Sequence, residues 1–334
     1  MVAISYSSRH IQGGFSLAAK IENVLKDTEN GAPKIGDTLE NAVGLTKTKA
    51  EREQNVQNLV QFYLYTRNTM QDPEHLVPNN FFLLKKSHFD TKKPTKIVTH
   101  GWRDSAQSRA VVVIRDAFIQ NGDYNVITVD WSPIAKTEYI IASNDVEMVA
   151  KYTATLIDFL HKQGMDLSKL TTVGHSLGAH VAALAARFAQ GTVNYVAALD
   201  PAQPNFLTKG PNNRVSRGDG KYVMVIHSNG GFLGFITTLG DSDFYPNGGS
   251  VQPGCVLDPS VTCSHARAYE YFAESINTKV GFWAEKCSNY LDFTTGQCKS
   301  NAKALMGGVN PNYNVKGSYY LTTNDKAPYA KGPL

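Results

Sequence analysis

No apolar run in this chain of 334 residues approaches the ~20 needed to cross a bilayer, which excludes a spanning helix. The first thirty residues also lack the apolar core of a signal peptide, because Lys20 and Lys26 interrupt their apolar positions. The chain is therefore expected to be a mature or truncated form. Cysteine is scarce: Cys255, Cys263, Cys287 and Cys298 all fall in the last quarter, and none has the spacing of a metal site. Two disulfides, and with them an oxidising compartment, are the expected use. Four cysteines allow three connectivities, which sequence does not separate; we favour Cys255 with Cys263 and Cys287 with Cys298, because joining neighbours closes two short loops. Each closure contributes roughly 2 to 3 kcal/mol on the chain-entropy model. No Asn-x-Ser/Thr sequon, internal repeat or low-complexity tract occurs.

Strong charge is missing as well. A net charge of +4 and a pI near 8.7, with the lysines scattered rather than gathered into a stripe, argue against nucleic-acid binding. The slight positive balance favours anionic lipid surfaces by a small, salt-screened amount, and ordinary solubility accounts for it equally well. What is present is ample apolar content, 42% hydrophobic against 19% charged residues, enough for a large core in one domain or one domain plus an extension.

From about residue 95 onward, short β-rich runs alternate with longer helical patterns, the layout of βαβ units around a mostly parallel sheet. Strands are predicted at Thr95 to Thr99, Asn125 to Asp130, Leu170 to Val173, Tyr195 to Leu199 and Tyr222 to His227. Val111, Ile114 and Phe118 mark one helix, and Val149, Tyr152, Leu156 and Phe159 another; both stripes read as core faces. Residues 58 to 67 read as an early antiparallel strand. The first fifty residues differ: two amphipathic segments, Ser16 to Leu25 and Thr38 to Gln57, flank a turn-rich stretch around Asn30 to Pro33. Residues 1 to 50 are thus expected to form a removable or loosely packed extension, or else a docked helical arm, and residues 51 to 334 the main domain.

The chemistry concentrates around Ser176. Gly174, His175, Ser176, Leu177 and Gly178 follow the predicted strand Leu170 to Val173, and Val181, Leu184 and Phe188 continue at helical spacing. Glycine on both sides of a serine at a sharp strand-to-helix turn is the signature of a nucleophile elbow, where side chains at the flanking positions would clash. A serine nucleophile needs an acid and a histidine, in this architecture in that chain order. Asp200 ends the predicted strand Tyr195 to Leu199 and is followed by Pro201, which stops the strand and suits an acid held in a turn. Of nine histidines, His175 and His180 flank the serine and His100 precedes Gly101; after the acid come His227 and His265. His265 is the better base, placed by Cys263 and by a helical run through Tyr269, Tyr271, Phe272 and Ile276. The oxyanion requires two backbone N–H donors: Leu177 at the elbow, and Trp102 after the strand Lys96 to Thr99 and the turn His100–Gly101.

With these residues together the chain resembles the pancreatic lipase family, and most of all its small insect lipases and phospholipases A1. The resemblance runs from about residue 55 to the end, through Thr99 to Trp102, Val129 to Trp131, Gly174 to His180, Leu199 to Pro204 with Phe206, Asp243 to Cys255, and Cys263, His265, Arg267 and Ala268. It implies an α/β-hydrolase fold with a mostly parallel central sheet, the triad Ser176, Asp200 and His265, the oxyanion donors Trp102 and Leu177, and the favoured cysteine pairing. It also implies a secreted hydrolase of glycerolipid carboxylic esters that works at a membrane, micelle or emulsion surface without a cofactor. Only seven residues, Val256 to Thr262, separate Cys255 from Cys263, where triacylglycerol lipases of the family carry a longer lid. The resemblance therefore favours a phospholipase A1-like release of the sn-1 acyl chain of a phospholipid or galactolipid, from a cleft left open, with neutral-lipid hydrolysis as the alternative. No C-terminal β-sandwich domain and no colipase docking are expected. Some members bind calcium after the catalytic aspartate, but here that stretch reads Pro211 to Ser216 and leaves only Asp219, so no metal site is expected. Yolk and carrier relatives that keep the fold and lose the chemistry form a third, non-catalytic alternative.

Overall fold

The computed structural model describes residues 48–259 and 261–333. The segment Ser16 to Leu25 lies outside the described residues, and Thr38 to Gln57 is described only from Thr48. There Thr48 and Glu51 close a capping box over a short helix, Lys49–Gln54. Its Arg52 is buried and bonds Asp145 at 2.6 Å, fastening this helix to the main body.

Among the described residues eleven strands form one sheet: β1 (Gln61–Tyr65), β2 (Glu74–Leu76), β3 (Thr95–Thr99), β4 (Asn125–Asp130), β5 (Leu170–His175), β6 (Tyr195–Leu199), β7 (Val223–Ile226), β8 (Ser242–Pro246), β9 (Trp283–Lys286), β10 (Lys303–Leu305) and β11 (Gly317–Leu321). Their order is β10-β9-β11-β8-β7-β6-β5-β3-β4-β1-β2. The block from β4 to β11 in that order is parallel throughout, and antiparallel strands close both margins. The early strand is shorter than residues 58 to 67, since Asn58 and Leu59 belong to the short helix Val56–Leu59, but it is antiparallel as expected. β7 is trimmed by a residue at each end, and β5 runs two residues further, to His175.

Both faces of the sheet are covered, which is why the strand sequences show no polar alternation. In β6, Tyr195, Ala197 and Leu199 enter one core, while Val196 and Ala198 enter the other. Four long helices supply the covers: α1 (Arg109–Asn121), α2 (Val146–Lys162), α3 (Leu177–Phe188) and α4 (Thr262–Asn277). α2 packs on α3 over one face, and α1 on α4 over the other. Burying each aliphatic side chain in these layers stabilises the fold by about 1.5–3 kcal/mol, so a charge placed at Val173 or Val196 would disrupt it.

The order also fixes where a ligand can enter. The connection from β3 leads to β4 on one side, and β5 then joins the other side of β3, so the crossover direction reverses between β3 and β5. In open α/β sheets the ligand site lies outside the C-terminal ends of the strands at such a reversal. The last residue of β5 is His175, and the next is Ser176. Disulfides join Cys255 to Cys263 and Cys287 to Cys298, with Cα–Cα distances of 5.5 and 5.6 Å, the favoured pairing. Among the described residues no helix is long and apolar enough to cross a membrane.

Candidate active site

Ser176 links β5 to α3 with φ 59° and ψ −125°, a conformation that costs a side-chain-bearing residue on the order of 1–3 kcal/mol. Close packing enforces it. A Cβ on Gly174 would overlap the backbone of Gly178, and one on Gly178 would overlap the carbonyl of His100. A Cβ on Gly101 would come within 2.9 Å of the Ser176 Cβ, so the turn after β3 lies directly against the serine. The Ser176 N–H donates to the Leu199 carbonyl at 3.0 Å, which ties the elbow to β6 and hence to the neighbouring Asp200.

Asp200 is fully buried and held at φ 43°, a left-handed conformation that aspartate tolerates better than most residues. Its Oδ1 accepts the Ser228 and Asn229 N–H groups at 2.8 and 3.0 Å. Its Oδ2 meets His265 Nδ1 at 2.5 Å, and because a buried carboxylate accepts, the ring is oriented with Nδ1 donating. His265 lies in the first turn of α4, which starts three residues earlier than the helical run suggested, at Thr262. Among the described residues nothing bonds its Nε2, and the residue is 8% exposed. The ring of His175, chain neighbour of Ser176, lies 4.3 Å from that of His265, so the serine and the His265–Asp200 pair come to the same point of the sheet edge.

The competing histidines are committed elsewhere. His175 Nε2 donates to the His265 carbonyl at 2.9 Å. Burial and the adjacent His265 ring hold its imidazole well below the usual value, against the opposite pull of that hydrogen bond. A neutral His175 leaves His265 free to take a proton. His180 donates from Nε2 to the Ala202 carbonyl at 2.8 Å and accepts the Val215 N–H on Nδ1 at 3.1 Å, bracing the loop after Asp200; burial pushes its imidazole down to about 3. His227 meets the Phe235 carbonyl with Nδ1 and Asp243 with Nε2, at 2.6 and 2.9 Å.

The turn after β3 is pinned from both sides. The rings of His100 and Trp131 stack, Trp131 Nε1 donates to the His100 carbonyl at 3.0 Å, and the Trp131 N–H donates to His100 Nε2 at 3.1 Å. The Trp102 indole donates to the Thr137 carbonyl at 2.8 Å, and the Arg103 N–H to that of Ala135 at 2.8 Å. Among the described residues no acceptor takes the Trp102 backbone N–H. Leu177, first in α3, has no helical carbonyl to receive its own N–H. Both expected donors thus border the serine. In the sequence the blocks Thr99 to Trp102 and Val129 to Trp131 are the only trace of the His100–Trp131 support, and no local signal marks Ser228 or Asn229.

The flap between Cys255 and Cys263 exposes Val256 and Leu257, at 67% and 92%. Asp258 accepts the Cys263 N–H at 2.7 Å and closes its base. After the Pro211 to Ser216 stretch, Asp219 is engaged by Arg187 Nε at 2.5 Å and by the Ser216 N–H at 2.6 Å.

A parallel sheet in this order, with a strained serine at the end of a central strand and an aspartate–histidine pair beside it, is the α/β-hydrolase fold. The model of the Lipase family matches residues 28–329, and the chain belongs to that family. It is 31% identical over 302 residues to pancreatic triacylglycerol lipase of Ictidomys tridecemlineatus, covering 81% of this chain and 64% of that protein. Phospholipase A1 2 of Vespa affinis is 32% identical over 277 residues, with 75% and 81% covered. Inactive pancreatic lipase-related protein 1 of Canis lupus familiaris is 30% identical over 301 residues, with 81% and 64% covered. The chain therefore spans just under two thirds of the length of the pancreatic lipases it matches. Among solved structures, Est1E from Butyrivibrio proteoclasticus aligns with 14% identity and a TM-score of 0.32 over 50% of this chain and 72% of its own. Dienelactone hydrolase from Anabaena variabilis aligns with 15% identity and a TM-score of 0.33 over 64% and 81%.

Proposed function

We propose that this protein hydrolyses carboxylic esters of glycerolipids through an acyl-enzyme intermediate. Ser176 Oγ attacks the ester carbonyl carbon as His265 Nε2 takes its proton, and Asp200 keeps the imidazole oriented and stabilises its charged form. The Trp102 and Leu177 N–H groups hold the oxyanion. The proton then passes to the leaving alcohol, and water, activated by the same ring, releases the fatty acid. One observation carries the reading: His265 is held to buried Asp200 by one nitrogen and keeps the other free beside a strained serine. Family membership alone would not suffice, since one relative bears the name of an inactive protein.

Within that class we favour phospholipase A1-like release of the sn-1 acyl chain. The seven-residue flap and its exposed Val256 and Leu257 support a cleft open to amphiphiles, as does the Vespa affinis phospholipase A1, of which the chain covers 81%. Triacylglycerol hydrolysis is the second reading, favoured by the pancreatic triacylglycerol lipase relatives. The two disulfides support an extracellular setting. The deciding experiment measures acyl release from phosphatidylcholine and from an emulsified triacylglycerol, with Ser176→Ala as control. We expect release from phosphatidylcholine to dominate and to fall about 10⁴-fold or more in the control. Equal rates for parent and control would sink the catalytic proposal, and a preference for triacylglycerol would sink the phospholipase reading alone.

A further inference from the structure

Between β2 and β3 the chain makes a short helix, Phe81–Lys86, that exposes two aromatic side chains side by side, Phe81 at 57% and Phe82 at 63%. Single exposed apolar residues are ordinary, but an adjacent pair of phenylalanines backed by lysines is not an average surface. The helix is well anchored: Asn80 Oδ1 accepts the Leu83 N–H at 3.0 Å, and Leu84 is buried in the core beneath. Lys85 and Lys86 lie one turn on, and Lys86 Nζ sits 4.2 Å from the Phe82 ring centroid. Aromatic rings with lysine heads above them match the boundary between acyl chains and headgroups, where the ring is buried and the ammonium stays with phosphate.

The strand register places this helix. β2 and β4 are both antiparallel to β1, so they point the same way, and Leu76 at the end of β2 stands level with Phe62 and Val129. The chain has returned by His88, whose N–H and Nδ1 both meet the Glu74 carboxylate at 2.7 Å, at the level of Leu64 and Ile127. Residues 77–87 therefore project from the edge of the sheet that carries Gly101, Ser176 and Asp200. β2 lies four strand positions from β5, about 19 Å at ~4.8 Å per strand. The base of the flap with Val256 and Leu257 lies on the other side of β5, where Gln252 Nε2 donates to the Ser228 carbonyl after β7 and to the Pro246 carbonyl at the end of β8.

We infer that Phe81 and Phe82, with Lys85 and Lys86, form a docking surface for an anionic lipid bilayer, separate from the cleft and its flap. Two apolar points on one edge, either side of Ser176, would hold the cleft mouth against the lipid surface. The surface does not depend on ester hydrolysis.

The test is co-sedimentation of the full chain carrying Ser176→Ala, which keeps the lipid intact, with vesicles of phosphatidylcholine alone or containing about 30% phosphatidylserine. Phe81→Ser with Phe82→Ser should lower partitioning onto both vesicle types about 10-fold or more. Lys85→Glu with Lys86→Glu should lower it about 10-fold or more on the phosphatidylserine vesicles and only slightly on phosphatidylcholine. Thermal unfolding of both variants should match the parent, since all four side chains are exposed. Unchanged partitioning of the phenylalanine variant overturns the inference. So does a parent dimer that this variant converts to monomer, which would assign the patch to a second copy of the chain.

Discussion

Among the described residues two histidine–aspartate pairs are buried near the C-terminal ends of β6 and β7, and they differ in which ring nitrogen meets the acid and in what becomes of the other. His265 bonds Asp200 at 2.5 Å and His227 bonds Asp243 at 2.9 Å. Each carboxylate is fully buried and accepts further backbone N–H groups, Ser228 and Asn229 on one, Leu239 and Gly240 on the other. The second ring nitrogen separates them. On His227 it is taken by the Phe235 carbonyl, while on His265 it has no partner among the described residues. A histidine–aspartate pair is thus not by itself a catalytic device: with both nitrogens committed it fastens the loop after β7 to β8, and with one left free at the serine it can move a proton.

Damage to either pair should cost stability, and only damage to the first should reach the chemistry. His265→Ala is expected to cut ester hydrolysis about 10⁴-fold or more and also to destabilise the protein by about 3–5 kcal/mol, because it strips the ring from a carboxylate as fully buried as Asp243. Asp200→Asn should cost about 10⁴-fold in kcat by disturbing the tautomer of His265 while the fold persists. The change in the other pair should act on stability alone. His227→Ala leaves the Asp243 carboxylate buried without its ring partner, which should destabilise the protein by about 3–5 kcal/mol in urea unfolding. Its activity per folded molecule should stay within about 10-fold of the parent. A stable His227→Ala protein with His265-like inactivity would break the comparison.

The same two pairs show what could be read from residues in order. Ser176, Asp200 and His265 were legible because each ends or opens an element with a strong local signal: a glycine-flanked elbow, an apolar run stopped by proline, a helix start after a cysteine. Asp243 carried no such signal. Its partnership depends on the register of β7 with β8, which sets Val225 against Asp243 and Ile226 against Phe244, and register is a long-range property. For the same reason the central strands were legible, since burial on both faces makes them continuous apolar runs, whereas β2 and β8 to β11 were not. Glu-His-Leu in β2 and Trp-Ala-Glu-Lys in β9 become strands by pairing with a neighbour, against weak intrinsic preference. The support beneath Trp102 was hidden likewise: His100 and Trp131 end neighbouring strands, β3 and β4, and meet only when those pair.

Lys96 extends the comparison to a buried basic group with no acidic partner among the described residues. It is 2% exposed; Nζ donates to Thr171 Oγ1 at 2.9 Å and to the Val309 carbonyl at 3.2 Å, between the rings of Phe118 and Tyr124. Burial lowers its ammonium from 10.5 to about 8. The unfolded chain therefore keeps this proton up to about 10.5 while the folded protein releases it near 8, so between those values the unfolded state binds more protons and stability rises with pH. Below about 8 both states are charged and the full cost of burying the ammonium, on the order of 3 kcal/mol, is present. Lys96→Met, close in volume and without a charge, should raise stability at pH 7 by about 1–3 kcal/mol and flatten the slope between pH 8 and 10, read from urea midpoints. If Lys96→Met is instead less stable at pH 7, the two hydrogen bonds and the ring faces outweigh desolvation, and a buried cation here needs no acid at all.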